Sequence, residues 1–206
     1  MTTTLERRVF LSEVETRTAG EGKRVIHGYA YKFNAKSQNL GGFREQVFTG
    51  AGKDSIEADD IRALMNHDAN LILGRNRAGT LRMTEDSTGL EYEIDADERQ
   101  SYVRDLLIAL ERKDVDQSSF GFVVNPDGEK WSLDEDETPL RTLTSIRLFD
   151  VSPVTYPAYL SSESGVSKRA LDMAASMRAV EVAPLWIPEP TAVPVDPRLA
   201  LHILRG

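Results

Sequence analysis

Alternation of apolar and polar residues at every second position dominates this chain, and the pattern predicts a mostly β fold. Successive side chains on a strand point to opposite faces, so such alternation is typical of strands with one buried face. The predicted strands cover residues 8–16, 24–33, 43–48, 60–68, 117–124 and 141–152, with two or three short strands within 71–94. The turn-rich residues 18–23 join the first two strands as a hairpin.

Helical spacing predicts helices in a few places only. Asp97 and Gln100 have the spacing of a capping box and predict the start of a helix. Arg112 follows the last apolar position of this helix and indicates its end. The apolar positions of that helix are Val103, Leu106, Leu107 and Leu110. A short helical turn is predicted over residues 54–60.

The character of the chain changes after Tyr159. Residues 166–180 predict an amphipathic helix, and prolines at 184, 188, 190, 194 and 197 then favour extended chain. The apolar side of this helix comprises Val166, Ala170, Met173, Met177 and Val180. We therefore expect a folded domain over residues 1–160 and a C-terminal segment over 161–206 that lies outside it.

Composition excludes several classes of function. The 206 residues contain no cysteine, which removes disulfides, thiolate metal sites and a cysteine nucleophile. The net charge of −8, without a cluster of Lys and Arg, argues against a nucleic-acid partner. Charges near the start and the lack of a long apolar run argue against a signal peptide and a membrane span, so we expect a cytoplasmic protein.

Ser119 is the candidate nucleophile. On a strand over 117–124, Phe120 and Phe122 share one face, while Ser119 and Gly121 share the other. A glycine beside the hydroxyl leaves the backbone open to a close approach by another group. A serine hydroxyl is a weak acid and needs a base, which must come from elsewhere in the chain.

His67 and Asp150 can supply the remaining parts of a Ser-His-acid arrangement. His67 follows Ile61, Ala63 and Met65 on one strand face and stands at the end of that strand. Asp150 shares a predicted strand face with Thr144, Ile146, Leu148 and Ser152. An acid among apolar neighbours is seldom buried without a partner, and an imidazole is a suitable one. Each residue by itself also has an ordinary structural explanation, and no G-x-S-x-G motif is present.

An ordered set of motifs resembles the tailed-phage prohead proteases of the HK97 type, which are distantly similar in fold to the herpesvirus capsid-maturation proteases. The resemblance covers most of residues 24–160. It depends on HGYAYKFN, GGFREQVFTGAG, MNHD, SSFGF and LFDVSPVTYPAY, taken in that order. The chain departs from the family at Ser118, where an apolar residue is usual.

The resemblance implies a small, mostly antiparallel β-barrel with flanking helices. It also implies a serine endopeptidase with Ser119 and His67 as the catalytic pair and no cofactor or metal. Herpesvirus enzymes have a second histidine as the third member. Here only His27 and His202 remain, so Asp150 is the better candidate. The candidate oxyanion donors are the backbone amides near Gly121 or near Arg147.

The implied substrates are the scaffold protein, the scaffolding segment of the major capsid protein, and the enzyme itself, all inside the immature capsid. Nucleic acid and membranes are not expected partners. Assembly of the chain into a homo-oligomer is compatible with the sequence. The segment 161–206 would dock on assembly partners or be removed by self-cleavage. Two alternatives are a catalytically inactive capsid-assembly module with the same barrel and an esterase that uses the same three residues.

Overall fold

The computed structural model describes residues 5–156 and 167–181, which form eleven strands and three α-helices. The strands are β1 (Glu6–Thr18), β2 (Arg24–Lys32), β3 (Arg44–Val47), β4 (Arg62–Met65), β5 (Asp68–Arg75), β6 (Leu81–Glu85), β7 (Gly89–Asp95), β8 (Gln117–Val124), β9 (Glu129–Leu133), β10 (Pro139–Leu143) and β11 (Ile146–Val154). The helices are α1 (Lys53–Ala58), α2 (Ser101–Glu111) and α3 (Lys168–Glu181). The predicted β-rich fold is confirmed.

Eight of these strands form one sheet, in the order β5-β4-β11-β8-β1-β2-β7-β6. All neighbours in this sheet are antiparallel except β11 and β4, which are parallel. The outer strands β5 and β6 share a core through Leu73 and Leu81, but no ladder joins them in the described part of the chain. The β-barrel that the resemblance implies is therefore not closed by a ladder in these residues, because the edge strands β5 and β6 pack on a common core without pairing.

The core lies on one face of this sheet and is covered by α2. Phe120 and Phe122 of β8 contribute stacked rings, with ring centroids 4.8 Å apart. The apolar stripe of α2 is buried as predicted, at Val103, Leu106, Leu107 and Leu110. The predicted capping box is wrong, because the helix begins at Ser101 and no side chain caps it, while Asp97 bonds to Arg99. No helix within residues 5–156 and 167–181 is long and apolar enough to span a bilayer.

A β-bulge at Phe149 decides which face Asp150 occupies. Leu148 pairs with Phe122 and Asp150 pairs with Gly121, so Phe149 is an extra residue in the ladder. Leu148 before the bulge and Val151 after it both lie in the core, although they are three positions apart. An inserted residue reverses the alternation. The predicted common face of Leu148 and Asp150 is therefore wrong.

The strand predicted over residues 141–152 is in fact two strands in different sheets. β10 ends at Leu143, and β11 begins at Ile146 after a turn. β11 also continues through Pro153 to Val154, beyond the predicted end at residue 152. Pro153 cannot donate a hydrogen bond, but its carbonyl accepts one from the backbone amide of Asn66 at 3.0 Å.

The hairpin between β4 and β5 turns at Asn66 and His67. Both residues have positive φ, 53° and 58°, as the two central residues of a type I′ turn require. The Asn66 side chain fastens this turn to the end of β11, since it accepts the Thr155 amide at 2.8 Å and lies 3.2 Å from the Thr155 hydroxyl. His67 is therefore a turn residue, not the strand-face residue that the alternation predicted.

A second sheet of β3, β10 and β9 packs beside the first and receives α3. Ala170 and Ala174 of α3 pack on Phe43, and Arg169 bonds to Glu129 at 2.8 Å. Ala170 and Met173 were both predicted on the apolar side of this helix. Ala170 is buried as predicted, but Met173 is exposed. The prolines that follow α3 lie outside the described residues.

A buried cluster of charges joins the two sheets, and the sequence analysis missed it. The cluster comprises Glu6 and Arg8 of β1, Glu45 of β3, Glu129 of β9 and Arg141 of β10. Arg141 bonds to Glu6, Glu45 and Glu129 at 2.8, 2.9 and 2.7 Å. Arg8 bonds to Glu6 and Glu45 at 2.5 and 2.7 Å. Each buried charge thus has partners of opposite sign, without which its burial would be strongly unfavourable.

The charges around Glu6 change its titration. Burial by itself would raise the pKa of the Glu6 carboxyl, but the hydrogen bond from Arg141 and the positive charges of Arg8 and Arg141 outweigh burial. The pKa of Glu6 is therefore held below its ordinary value of 4.5. A carboxyl of this kind stabilises the fold above its ordinary pKa and loses that contribution as the pH falls through the folded value.

We expect Glu6→Gln to lower the free energy of unfolding by about 3 kcal/mol at neutral pH, because the buried guanidinium groups of Arg8 and Arg141 each lose one of their carboxylate partners. The loss relative to wild type should shrink as the pH falls below 4.5, where the wild-type carboxyl also becomes neutral. Urea denaturation at several pH values measures both effects. The control is Glu111→Gln, which breaks an exposed pair with Arg24 and should cost at most about 1 kcal/mol. If the difference in unfolding free energy between Glu6→Gln and wild type stayed constant as the pH falls into the acid range, the lowered pKa of Glu6 would be contradicted.

We expect the turn at Asn66 to show a graded response to substitution. Asn66→Gly keeps a residue that tolerates positive φ but removes the bonds to Thr155, so the free energy of unfolding should fall by about 1 kcal/mol. Asn66→Ala removes the same bonds and adds left-handed strain of about 1 kcal/mol more. Chemical denaturation of the three proteins should give this order of stability. An alanine variant as stable as the glycine variant would argue against the positive φ.

Candidate active site

The structure brings Ser119, His67 and Asp150 into one continuous chain of contacts. His67 Nε2 lies 2.6 Å from Ser119 Oγ, and His67 Nδ1 lies 2.5 Å from Asp150 Oδ1. The side chains of His67 and Asp150 are 10% and 7% exposed, and Ser119 is fully buried. All three candidates from the sequence therefore meet, although they are far apart in the chain.

Three neighbouring strands deliver these side chains. β11 lies between β4 and β8, so the turn after β4 borders one side of β11 and Ser119 borders the other. β4 runs parallel to β11, which brings the turn at His67 beside Pro153 near the end of β11. The imidazole then lies across β11, between the acid on that strand and the hydroxyl on β8.

Gly121 makes room for the acid. Asp150 is the cross-strand partner of Gly121, and a Cβ built on Gly121 would overlap Asp150 Oδ2. Any side chain at position 121 would occupy the space of the carboxylate. The open backbone that the sequence predicted beside Ser119 is thus taken by Asp150.

Hydrogen-bond chemistry determines which nitrogen of His67 faces the serine. With Asp150 as a carboxylate, its oxygens can only accept, so Nδ1 must carry the hydrogen in that contact. In the neutral ring, Nε2 then keeps its lone pair directed at Ser119 Oγ. This is the tautomer in which a histidine can take a proton from a serine.

The Ser119 hydroxyl has a second neighbour. Its oxygen lies 2.9 Å from the backbone carbonyl of Arg8, on the adjacent strand β1. The hydroxyl has one hydrogen, so it can donate either to this carbonyl or to His67 Nε2. Only the second arrangement prepares the oxygen for nucleophilic attack.

Ser118, the departure from the family pattern, points elsewhere. It is fully buried on the other face of β8, and its hydroxyl donates to the Tyr92 hydroxyl at 3.1 Å. Of the remaining histidines, His27 pairs with Glu91, and His202 lies outside the described residues. The structure therefore brings neither Ser118 nor His27 to the group formed by Ser119, His67 and Asp150.

Ser152 belongs to the same cluster, and the sequence analysis gave it no role. It is fully buried, and its hydroxyl donates to Asp150 Oδ1 at 2.9 Å. The available signal was its position two residues after Asp150, on the same strand face. A serine in a strand is too common for that signal to have identified it.

The face of β8 at Gly121 is a poor place for an oxyanion. A carboxylate already packs there, and it would repel a second negative charge at short range. Donors to an oxyanion formed at Ser119 would therefore have to lie in another part of the site. The Gly121 amide, one of the two guesses from the sequence, is disfavoured on this ground.

Comparisons with known proteins gave matches of two kinds, a solved structure and a protein family. A solved structure of the bacteriophage T4 capsid assembly protease, gp21, is similar, with 10% identity, a TM-score of 0.49, and coverage of 76% of this chain and all of the other. No curated protein matched. The sequence model of the family described as Caudovirus prohead serine protease matches residues 12–176. This chain therefore belongs to the Caudovirus prohead serine protease family.

Proposed function

We propose that this protein is an active serine endopeptidase in which Ser119 is the nucleophile, His67 the general base and acid, and Asp150 the residue that orients His67. The observation that carries the proposal is the continuous contact from Asp150 through His67 to Ser119, at 2.5 and 2.6 Å. It occurs in a chain that belongs to a serine protease family. An inactive assembly module would have no need to keep these three groups in contact.

In the proposed reaction, Ser119 Oγ attacks the scissile carbonyl carbon while His67 Nε2 takes the hydroxyl proton. The imidazolium is stabilised by Asp150 and then gives the proton to the leaving amine. Water hydrolyses the acyl-enzyme by the same proton path. Because Ser119 is fully buried, a substrate must displace a neighbouring group before its carbonyl reaches Oγ.

We further propose that the substrates are the scaffold protein or the scaffolding segment of the major capsid protein, and the enzyme itself. The site of action would be the interior of the immature capsid in the host bacterial cytoplasm. Membership of the prohead protease family supports this assignment. Residues 1–160 would form the protease domain, and residues 161–206 would dock on partners or be removed by self-cleavage.

We expect Ser119→Ala and His67→Ala each to lower cleavage by roughly 10⁴-fold or more, because loss of either group removes the whole proton path. Ser118→Ala is the matched control, since it removes an equally buried hydroxyl from the opposite face of the same strand. Co-expression with the major capsid protein of the same phage, followed by mass spectrometry of the fragments, measures both capsid cleavage and self-cleavage.

Unchanged fragments from the Ser119→Ala protein would remove Ser119 as nucleophile. If the wild type cleaves neither the capsid protein nor itself, the inactive assembly module is favoured. Rapid turnover of small esters without peptide cleavage would favour the esterase alternative.

We expect Gly121→Ala to impair cleavage at least tenfold, because the new Cβ would occupy the place of Asp150 Oδ2 and push the carboxylate away from His67. Gly20→Ala is the control, since a Cβ at that position meets no atom within 4 Å. Cleavage rates and thermal unfolding should be measured together. A Gly121→Ala protein with full activity would show that Asp150 need not occupy its present position.

A further inference from the structure

A second buried hydroxyl borders the acid of the site. Ser152 lies on β11 directly opposite Ser119 in the ladder with β8, and the bulge at Phe149 puts both on the same face. Its side chain is fully buried. Ser152 Oγ lies 2.9 Å from Asp150 Oδ1 and 3.4 Å from His67 Nδ1.

Asp150 Oδ1 thus receives two donors, the imidazole Nδ1–H at 2.5 Å and the Ser152 hydroxyl. A carboxylate can turn about its last side-chain bond and exchange one oxygen for the other, since that torsion is broad. A second donor on the same oxygen opposes this rotation. The other oxygen, Oδ2, lies in the space that a side chain at position 121 would occupy.

We propose that Ser152 is a positioning residue whose hydroxyl fixes Asp150 Oδ1 against His67 Nδ1, and thereby keeps Nε2 directed at Ser119. This inference rests on the proposed catalytic roles of Ser119, His67 and Asp150. Ser152 itself touches neither the scissile bond nor the nucleophilic oxygen in the proposed reaction.

Ser152→Ala tests the proposal. We expect kcat to fall about tenfold, the factor that loss of one hydrogen bond to a charged group corresponds to. KM should stay unchanged, because the hydroxyl touches no substrate, and Ser152→Thr, which keeps a hydroxyl, should restore the wild-type kcat. Each kcat is referred to the fraction of folded protein measured by circular dichroism, so a loss of stability alone does not lower it.

Ser118→Ala is the matched control, because it removes another fully buried serine hydroxyl that does not contact Asp150. It should leave kcat unchanged. A Ser152→Ala protein with wild-type kcat overturns the proposal. Equal losses of kcat in Ser152→Ala and Ser118→Ala overturn it as well.

A measurement without turnover separates this inference from the proposed function. The proton NMR resonance of His67 Nδ1–H is recorded in full-length Ser119→Ala protein, with and without the added Ser152→Ala change. Weakening or loss of this resonance in the double variant supports positioning by Ser152, whether or not the protein cleaves a peptide. An identical resonance in both proteins overturns it, while failure of the proposed function would appear in the cleavage assay, as fragments that survive Ser119→Ala or as a wild type that cleaves no peptide.

Discussion

The extra residue at Phe149 is the constraint on which the site depends. Strand side chains alternate, so without a bulge Asp150 and Ser152 would share a face with Ile146 and Leu148, which belong to the core. The bulge reverses the alternation and places Asp150 and Ser152 opposite Gly121 and Ser119. A carboxylate is thereby kept out of the apolar core, where its desolvation would be costly. The same local irregularity that protects the core supplies the site with its acid, which agrees with the tendency of bulges to re-aim side chains beside functional sites.

Rigid neighbours hold the three groups, although one of them lies in a turn. Asp150 and Ser119 lie on adjacent interior strands of the sheet, β11 and β8, and each is fixed by ladders on both sides. His67 has no such support from its own strand, because β4 ends at Met65. Asn66 provides the support instead, through its backbone bond to Pro153 and its side-chain bonds to Thr155. The turn is thus fastened to the strand that carries the acid, so His67 and Asp150 share one frame.

The sequence predicted strongly patterned features and failed where a single residue changed the pattern. The apolar stripe of α2 and the alternation in β8 were confirmed. Both patterns repeat over several positions, which is why they could be predicted. The predicted assignment of β11 side chains to the two faces was wrong, because no residue type in this stretch indicates the bulge at Phe149. His67 was expected on a strand because it stands where a typical Asn-Gly type I′ turn has glycine, although Asn66 matches the first residue of that turn. The cluster around Arg141 was missed because a charged residue is usually exposed, and five charges on four separate strands show no common pattern in the sequence.

The buried charges and the site are connected through β1. Arg8 is held by Glu6 and Glu45, with its guanidinium almost fully buried, and its backbone carbonyl lies 2.9 Å from Ser119 Oγ. That carbonyl competes with His67 for the single hydrogen of the hydroxyl. An interaction that fixes the Arg8 side chain also limits how far the carbonyl can move away, because both belong to one residue in a paired strand. The charge cluster therefore has two effects of opposite value for the proposed chemistry: it stabilises the sheet that carries Ser119, and it holds a competing acceptor beside the nucleophile.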